Sequence, residues 1–431
     1  MVSCKKNSSS TSLSSVAQLT TFSFAAVDSL PGLAEASFTV KEMLDTGFVY
    51  NEDSIRYGTP LTKVVPKFTF AATPSSATLT LPDTTISLSG SDTINLTRQP
   101  AYLTVVSQDG TNTKVYRIEA YVHTMDPDMW RWQQLAADMY SGDFESQAVS
   151  VGGQILFFMN NGFRNHLFSS TDGAAWTDKG EPALPSSCHV RAILSDGTTL
   201  YYVEQNVLYT STDGLNWNSE DYSASGWKLL SALMWFDEKV WFVIEQADGH
   251  LYLAMATDAG VVPTPVQLPD DFPIDNFATV CFSSTSNRGR AMVLGGYSRE
   301  GASLNSRWSF ETYRHGSTDS LRVKNLTIEQ PTFTSLTGAA MVWYNNRIML
   351  FGGINGDAKL QEAPCLISSD EGMTWTKPDS AHFCLPTEFG VRQKLSALVR
   401  DNNVYLLGGQ TGTVVHSDVY SGRLNSIDWP K

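Results

Sequence analysis

Between Gln147 and Leu407 the chain repeats one unit six times: an apolar strand, a turn of Gly, Asn or Asp, and a second, more strongly apolar strand. The pairs are 147–151 with 155–158, 191–194 with 200–203, and 231–235 with 240–243. They continue as 277–280 with 291–294, 338–343 with 348–351, and 395–399 with 404–407. The second strands start at steps of roughly 40 to 57 residues, the period of β-propeller blades. A two-strand unit cannot bury both of its faces alone, so successive units must pack on one another. The expected count is six. Reading the long fourth unit differently, with its Trp308, Arg314 and His315, gives five or seven.

Two marks punctuate these units. Gly295-Gly296, Gly352-Gly353 and Gly408-Gly409 follow the second strand in the last three. This double glycine resembles the kelch repeat, and it implies a close approach between neighbouring blades. Ser368-Ser-Asp370-Glu-Gly372-Met-Thr-Trp375 resembles the Asp-box, a turn at the outer edge of propeller blades. Versions one residue shorter run from Ser170 through Asp172 and Gly173 to Trp176, and from Ser211 through Asp213 and Gly214 to Trp217. A weaker echo surrounds Asp258 and Gly260. In such turns Asp caps the backbone, Gly takes the left-handed position and Trp packs between sheets, so their role is structural. Trp130-Arg-Trp132-Gln-Gln-Leu135 looks like an outer strand without a blade. The last unit stops soon after Asp418-Val-Tyr420 and Ile427-Asp-Trp429. Pairing the Trp130 strand into it closes the ring and removes an exposed edge.

From Leu19 to Met125 the texture is different. Short runs such as 19–24, 67–70, 77–81, 102–107 and 114–122 alternate apolar with polar residues, as half-buried strands do. Asp109-Gly110 between the last two is a tight hairpin signal. About seven strands in a hundred residues fit an immunoglobulin-like sandwich. Pro127 cannot continue a ladder and marks the boundary. The expected layout is a Ser-rich tether over 1–15, a sandwich over 16–126 and a propeller over 127–431. The fold class is therefore all-β, an immunoglobulin-like sandwich followed by a six-bladed kelch/Asp-box, sialidase-like propeller.

No apolar run reaches the roughly 20 residues that span a bilayer. Cys4, just ahead of a Ser-rich stretch, resembles the lipidated start of a bacterial lipoprotein, although Lys5 and Lys6 replace the acidic residues of surface-export signals. Cys188, Cys281, Cys365 and Cys384 match no zinc or redox spacing. They read as buried free thiols, with a Cys365–Cys384 bridge as the alternative in an oxidising compartment. The formal net charge of −14 argues against a nucleic-acid partner. The seven histidines show no metal-ligand spacing, no Gly-rich phosphate loop follows a strand, and no acidic loop has a calcium pattern, so neither metal nor cofactor is expected.

Residues just before each first strand gather at one mouth of a propeller channel. Here they are Asp143, Glu145, Gln147, His189, Arg191, Trp227, Lys228, Asp275, Asn276, Thr337, Glu388, Arg392 and Lys394. Mixed charge with one aromatic suits a polar ligand. A sialidase would need three converging arginines, a Tyr–Glu nucleophile pair and an acid. Arg191 and Arg392 are candidates, with Arg164, Arg288, Arg290 and Arg347 in reserve. The Phe-Arg-Ile-Pro signature of that family is missing; the nearest string is Gly162-Phe163-Arg164-Asn165. A generic glycoside hydrolase would need two carboxylates about 5 to 9 Å apart, such as Asp143 or Glu145 against Asp275 or Glu388.

The whole chain resembles a family of two-domain envelope lipoproteins of gut anaerobic bacteria, often labelled neuraminidases. The likeness rests on the double glycines, the Asp-box turns, the segment from Val49 to Thr59, and the hairpin from Ser107 to Ile118. It implies an envelope location, with membrane contact through a lipid anchor on Cys4. The leading expectation is a recognition module for a glycan or protein segment, in which Trp227 stacks and Arg191, Lys228 and Arg392 meet acidic groups. The alternative is a sialidase-like glycoside hydrolase, and a third reading is a scaffold that binds only a partner protein.

Overall fold

The computed structural model describes residues 12–425 except 28, 29, 31, 45, 284–288, 316, 317 and 328–334. Cys4, Arg288 and Trp429 lie outside these residues, as do the side chains of Arg314 and His315. The chain divides into one unit of Met1–Asp128 with Asn425–Lys431, and a second of Met129–Leu424. Among the described residues no helix is long and apolar enough to cross a membrane.

The first unit contains β1 (Leu19–Phe24), β2 (Phe38–Glu42), β3 (Thr46–Asn51), β4 (Pro66–Phe70), β5 (Ser76–Leu81), β6 (Thr84–Ser87), β7 (Ala101–Val106) and β8 (Thr113–Ile118). Six of them form a sheet in the order β2-β3-β8-β7-β5-β6, and β1 pairs with β4. Alternation puts Phe22, Phe24, Val49, Leu79, Leu103 and Ile118 into one shared core. Tyr116 pins the two sheets together: its hydroxyl accepts from the Leu19 amide at 2.8 Å and donates to Glu42 at 2.7 Å. The last strand ends at Ile118, earlier than its alternation to Val122 predicts. The amide of Tyr121 has left the ladder to bond the Asn51 side chain at 2.7 Å.

The second unit opens on β9 (Trp130–Ala136), followed by six antiparallel sheets among the described residues. The first holds β10 (Glu145–Val151), β11 (Gln154–Asn160), β12 (Asn165–Ser170) and β13 (Thr177–Gly180). The second holds β14 (Leu194–Ser195), β15 (Leu200–Glu204), β16 (Val207–Ser211) and β17 (Asn218–Asp221). The third holds β18 (Lys228–Phe236), β19 (Lys239–Glu245), β20 (Leu251–Thr257) and β21 (Gly260–Leu268). The fourth holds β22 (Ala278–Ser283), β23 (Gly289–Leu294), β24 (Arg307–His315) and β25 (Thr318–Asn325). The fifth has β26 (Ala340–Tyr344), β27 (Arg347–Phe351) and β28 (Cys365–Ser368). The sixth is β29 (Ser396–Arg400), β30 (Asn403–Thr411) and β31 (Val414–Leu424), completed by β9.

The first strands touch in a closed cycle, β10-β14-β18-β22-β26-β29-β10, which makes this unit a β-propeller. The pairing of β9 with β31 joins the start of the unit to its end, as expected from Trp130 and Trp132. Two-residue turns with positive φ at both positions close the inner hairpins at Gly152-Gly153, Asp237-Glu238, Asn345-Asn346 and Asp401-Asn402. Asn, Asp and Gly tolerate that conformation best, and its twist matches the flanking strands. One expected strand differs. Residues 191–194 do not form a full strand; Val190–Ala192 is a 3-10 turn, and only Leu194–Ser195 pairs.

The turns at Asp172, Asp213 and Asp370 share one construction despite their different lengths. A serine hydroxyl accepts from the glycine amide at 2.8 to 2.9 Å, and the carboxylate caps two amides or an amide and a hydroxyl. Trp176 and Trp217 close their own turns by donating to Gly173 and Gly214, whereas Trp375 is buried in the core between the fourth and fifth sheets. Each glycine abuts the preceding sheet: a Cβ on Gly173 would press on Tyr405, and one on Gly214 on Leu156. The echo at Asp258 is a hairpin turn held instead by Thr257, whose hydroxyl donates to the Gly260 carbonyl.

Candidate functional site

The six inner strands leave a cavity of about 550 Å³ along the propeller axis, lined from all six sheets. Small side chains face it because the strands converge there: Ala148, Ala192, Ser231, Ala278, Ala340 and Ser396. Each inner strand runs from an outer-connection end to a hairpin end. Gln147, Arg191, Asp275 and Asn276 line the first end; Asp196, Trp235 and Val399 line the second.

At the connection end a chain of hydrogen bonds links neighbouring sheets. Asn276, Gly338 and Lys394 occupy matching positions before the fourth, fifth and sixth inner strands, all with positive φ. The Gly338 amide donates to the Asn276 carbonyl at 3.1 Å, and the Lys394 amide to the Gly338 carbonyl at 2.6 Å. Arg191, thrown inward by its 3-10 turn, donates from Nη1 to the Lys394 carbonyl at 2.7 Å. Burial holds the Arg191 guanidinium below its ordinary value, while the fields of Glu145 and Asp275 oppose that shift. Asp275 accepts from the Asn276 amide at 2.8 Å and from its side chain at 3.0 Å.

Three residues that line this cavity each carry a buried polar atom with no partner among the described residues: Arg191 Nε, Ser231 Oγ and Asn276 Oδ1. Ser231 is 6% exposed. Buried polar groups are nearly always satisfied, so these three atoms are partners for ordered water or for polar groups of a ligand. Sequence reasoning missed Ser231 and Trp235. Both lie inside an apolar strand, where only the channel geometry distinguishes them from core residues.

Of the expected ligand residues, Gln147, Arg191, Asp275 and Asn276 come together on the cavity. Glu145 and His189 stand beside each other at 3.7 Å without lining it, and Lys394 contributes backbone. Three expectations are corrected. Trp227 packs on Tyr222 at 5.2 Å, off the cavity, because it fills the gap beside the third sheet. Lys228 is neutralised by Glu245 at 2.8 Å, which also holds Arg299 at 2.9 Å. Arg392 is buried against Asp418, with Nη2 donating at 2.8 Å, and cannot meet a ligand. Nor do the spare arginines converge: Arg164 and Arg347 are exposed elsewhere, and Arg290 pairs with Glu371 at 2.6 Å. Among the described residues Arg191 alone of the arginines lines the cavity, and neither Tyr nor Glu does. All four described cysteines are free; Cys188 and Cys365 are buried, but Cys384 is exposed.

Asp138, His416 and Asp418 bring donor atoms within 4.8 Å of one another. Both Asp418 oxygens are taken by Arg392, so the group reads as part of a buried ion pair. Burial, aided by the Arg392 charge, holds the His416 imidazole below its ordinary value. Its neutral form therefore belongs to the folded state, and the stability it contributes is lost as pH falls below about 6.5. His250, raised by Asp270, acts in the opposite sense but is exposed. The urea midpoint should fall between about pH 7 and pH 5, and His416→Gln should flatten that fall. An unchanged slope in the variant would contradict this assignment.

The family described as "DUF6242 beta propeller domain" matches residues 126–431. The one described as "Domain of unknown function (DUF6242) N-terminal domain" matches residues 8–120. A comparison with curated proteins finds no match. A solved structure of Penicillium chrysogenum alpha-L-arabinanase complexed with arabinobiose is similar at 12% identity and a TM-score of 0.41, over 67% of this chain and 98% of that one.

Proposed function

The chain belongs to the DUF6242 family, and on that premise we propose that its propeller is a recognition module that binds a glycan or a protein segment in the axial channel. The observation that carries this reading is that Arg191, Ser231 and Asn276, each with a polar atom left unpaired, line one cavity. A volume of about 550 Å³ suits a compact ligand group, since such sites run to about 300–1,000 Å³.

The hydrolase alternative finds less support. Of the two carboxylates on the cavity, Asp196 is spent on its own turn, accepting from Thr198, Thr199 and Tyr201. Asp275 lies at the opposite end and is held by Asn276. Incubation of the purified protein with sialylated and neutral mucin-type glycans separates the readings. Retention on immobilised protein without released sugar, lost in Ser231→Leu, is the expected result. Release of sugar detected by mass spectrometry would establish the hydrolase instead.

Within this proposal each of the six sheets is one blade, the serine–aspartate turns are Asp-boxes, and the double glycines are kelch-type. The first unit is a spacer of immunoglobulin-like kind. Cys4 carries a lipid that tethers the chain to the cell envelope, a location that would present the channel to envelope or extracellular glycans.

A further inference from the structure

We infer that the channel takes the uncharged, hydroxyl-rich end of a sugar chain through its hairpin end, with Trp235 as the stacking face; this rests on the channel being a binding site. The hydrogen-bonding capacity of the orphans decides the chemistry. Arg191 Nε–H can only donate, Asn276 Oδ1 can only accept, and Ser231 Oγ does both. A ligand satisfying all three must offer donors and acceptors together. Hydroxyl groups do so, whereas a carboxylate only accepts and an ammonium only donates.

The charges agree. Among the described residues the cavity carries one cation, Arg191, against two anions, Asp196 and Asp275. Glu145 also acts on Arg191 from the rim. An acidic sugar would face Asp275 beside a guanidinium already balanced by carboxylates. The positive residues expected to attract it, Lys228 and Arg392, are paired elsewhere.

The direction of approach follows from the two ends. At the connection end the Asn276–Gly338–Lys394 hydrogen bonds tie neighbouring sheets together and Arg191 bonds Lys394, and no aromatic residue but Phe277 lines the cavity there among the described residues. At the hairpin end Trp235 is 42% exposed and Val399 43% exposed, and both line the cavity. Cys281 donates to the Trp235 carbonyl at 2.9 Å and steadies that strand end. An aromatic face at the opening and orphaned polar groups farther in suit a sugar, which has both an apolar face and a ring of hydroxyls.

The test is calorimetric titration of the full chain with a mucin-type O-glycan and with its sialic-acid-capped form. The expected result is at least tenfold tighter binding of the uncapped glycan. Trp235→Ala should weaken it at least tenfold, and Trp235→Phe less than threefold. Val399→Trp, at an exposed position that tolerates bulk, should weaken it as strongly even if Trp235→Ala fails to fold. Phe163→Ala should change nothing, because that side chain, 82% exposed, sits in the β11–β12 loop at the connection end. Tighter binding of the capped glycan, or loss in Phe163→Ala but not in Val399→Trp, would overturn the inference. If Ser231→Leu still abolished that binding, the channel would stand as the site and only its ligand class would fall. Binding of neither glycan would overturn both.

Discussion

Arg392→Ala should destabilise the propeller by about 3–5 kcal/mol, the usual cost of removing one partner from a buried ion pair. Arg392 is 1% exposed. It donates to both oxygens of Asp418, to the Phe389 carbonyl at 2.6 Å and to the Gly408 carbonyl at 2.9 Å. Its guanidinium also lies over the Phe389 ring at 4.3 Å. Alanine would leave the Asp418 carboxylate buried without a cation and remove the guanidinium donor to the Gly408 carbonyl. The double replacement Arg392→Met with Asp418→Leu should recover much of the loss, because it removes the stranded charge as well. Urea unfolding followed by far-ultraviolet circular dichroism measures both. A ligand-contacting arginine would behave oppositely: a loss below about 1 kcal/mol with binding abolished.

Gly352→Ala should cost about 2–5 kcal/mol, for a reason rooted in the backbone. Gly352 has φ +62°, a region that costs an L-residue about 1–2 kcal/mol. A Cβ there would also collide with the Arg392 carbonyl oxygen of the next sheet. That carbonyl accepts from the Gly353 amide at 2.9 Å, so the collision falls on an inter-sheet hydrogen bond. Overpacking of this kind adds about 1–3 kcal/mol. Gly412→Ala is the control: its φ is +59°, but nothing lies within 4 Å of the added carbon. The conformational cost alone should appear there. Equal losses at the two positions would contradict the inter-sheet contact.

The repeating strand pairs were legible because each inner hairpin couples two apolar strands through a turn that only certain residues tolerate. The closing strand was legible for a similar reason, since Trp130 and Trp132 make an apolar strand that needs a partner. The order of the first unit was not. Its β3 and β8 pair in parallel across more than sixty residues, and nothing local in either strand encodes that partner. The site was half legible. Positions before each first strand do reach the channel, but side-chain fate there depends on distant neighbours. Arg191 and Arg392 look alike in sequence; one faces the cavity, and the other is captured by Asp418, 26 residues further on. Trp227 and Trp235 lie at opposite ends of one strand region, and only the axial geometry decides which of them meets the channel.

A crystal structure of the protein soaked with an uncapped mucin-type oligosaccharide tests the channel most directly. Density for a sugar chain with one ring against Trp235 at the hairpin end and hydroxyls farther in that bond Ser231 Oγ, Asn276 Oδ1 and Arg191 Nε is the predicted result. Sugar bound elsewhere on the propeller, with those three atoms bonded only to ordered water, would contradict it.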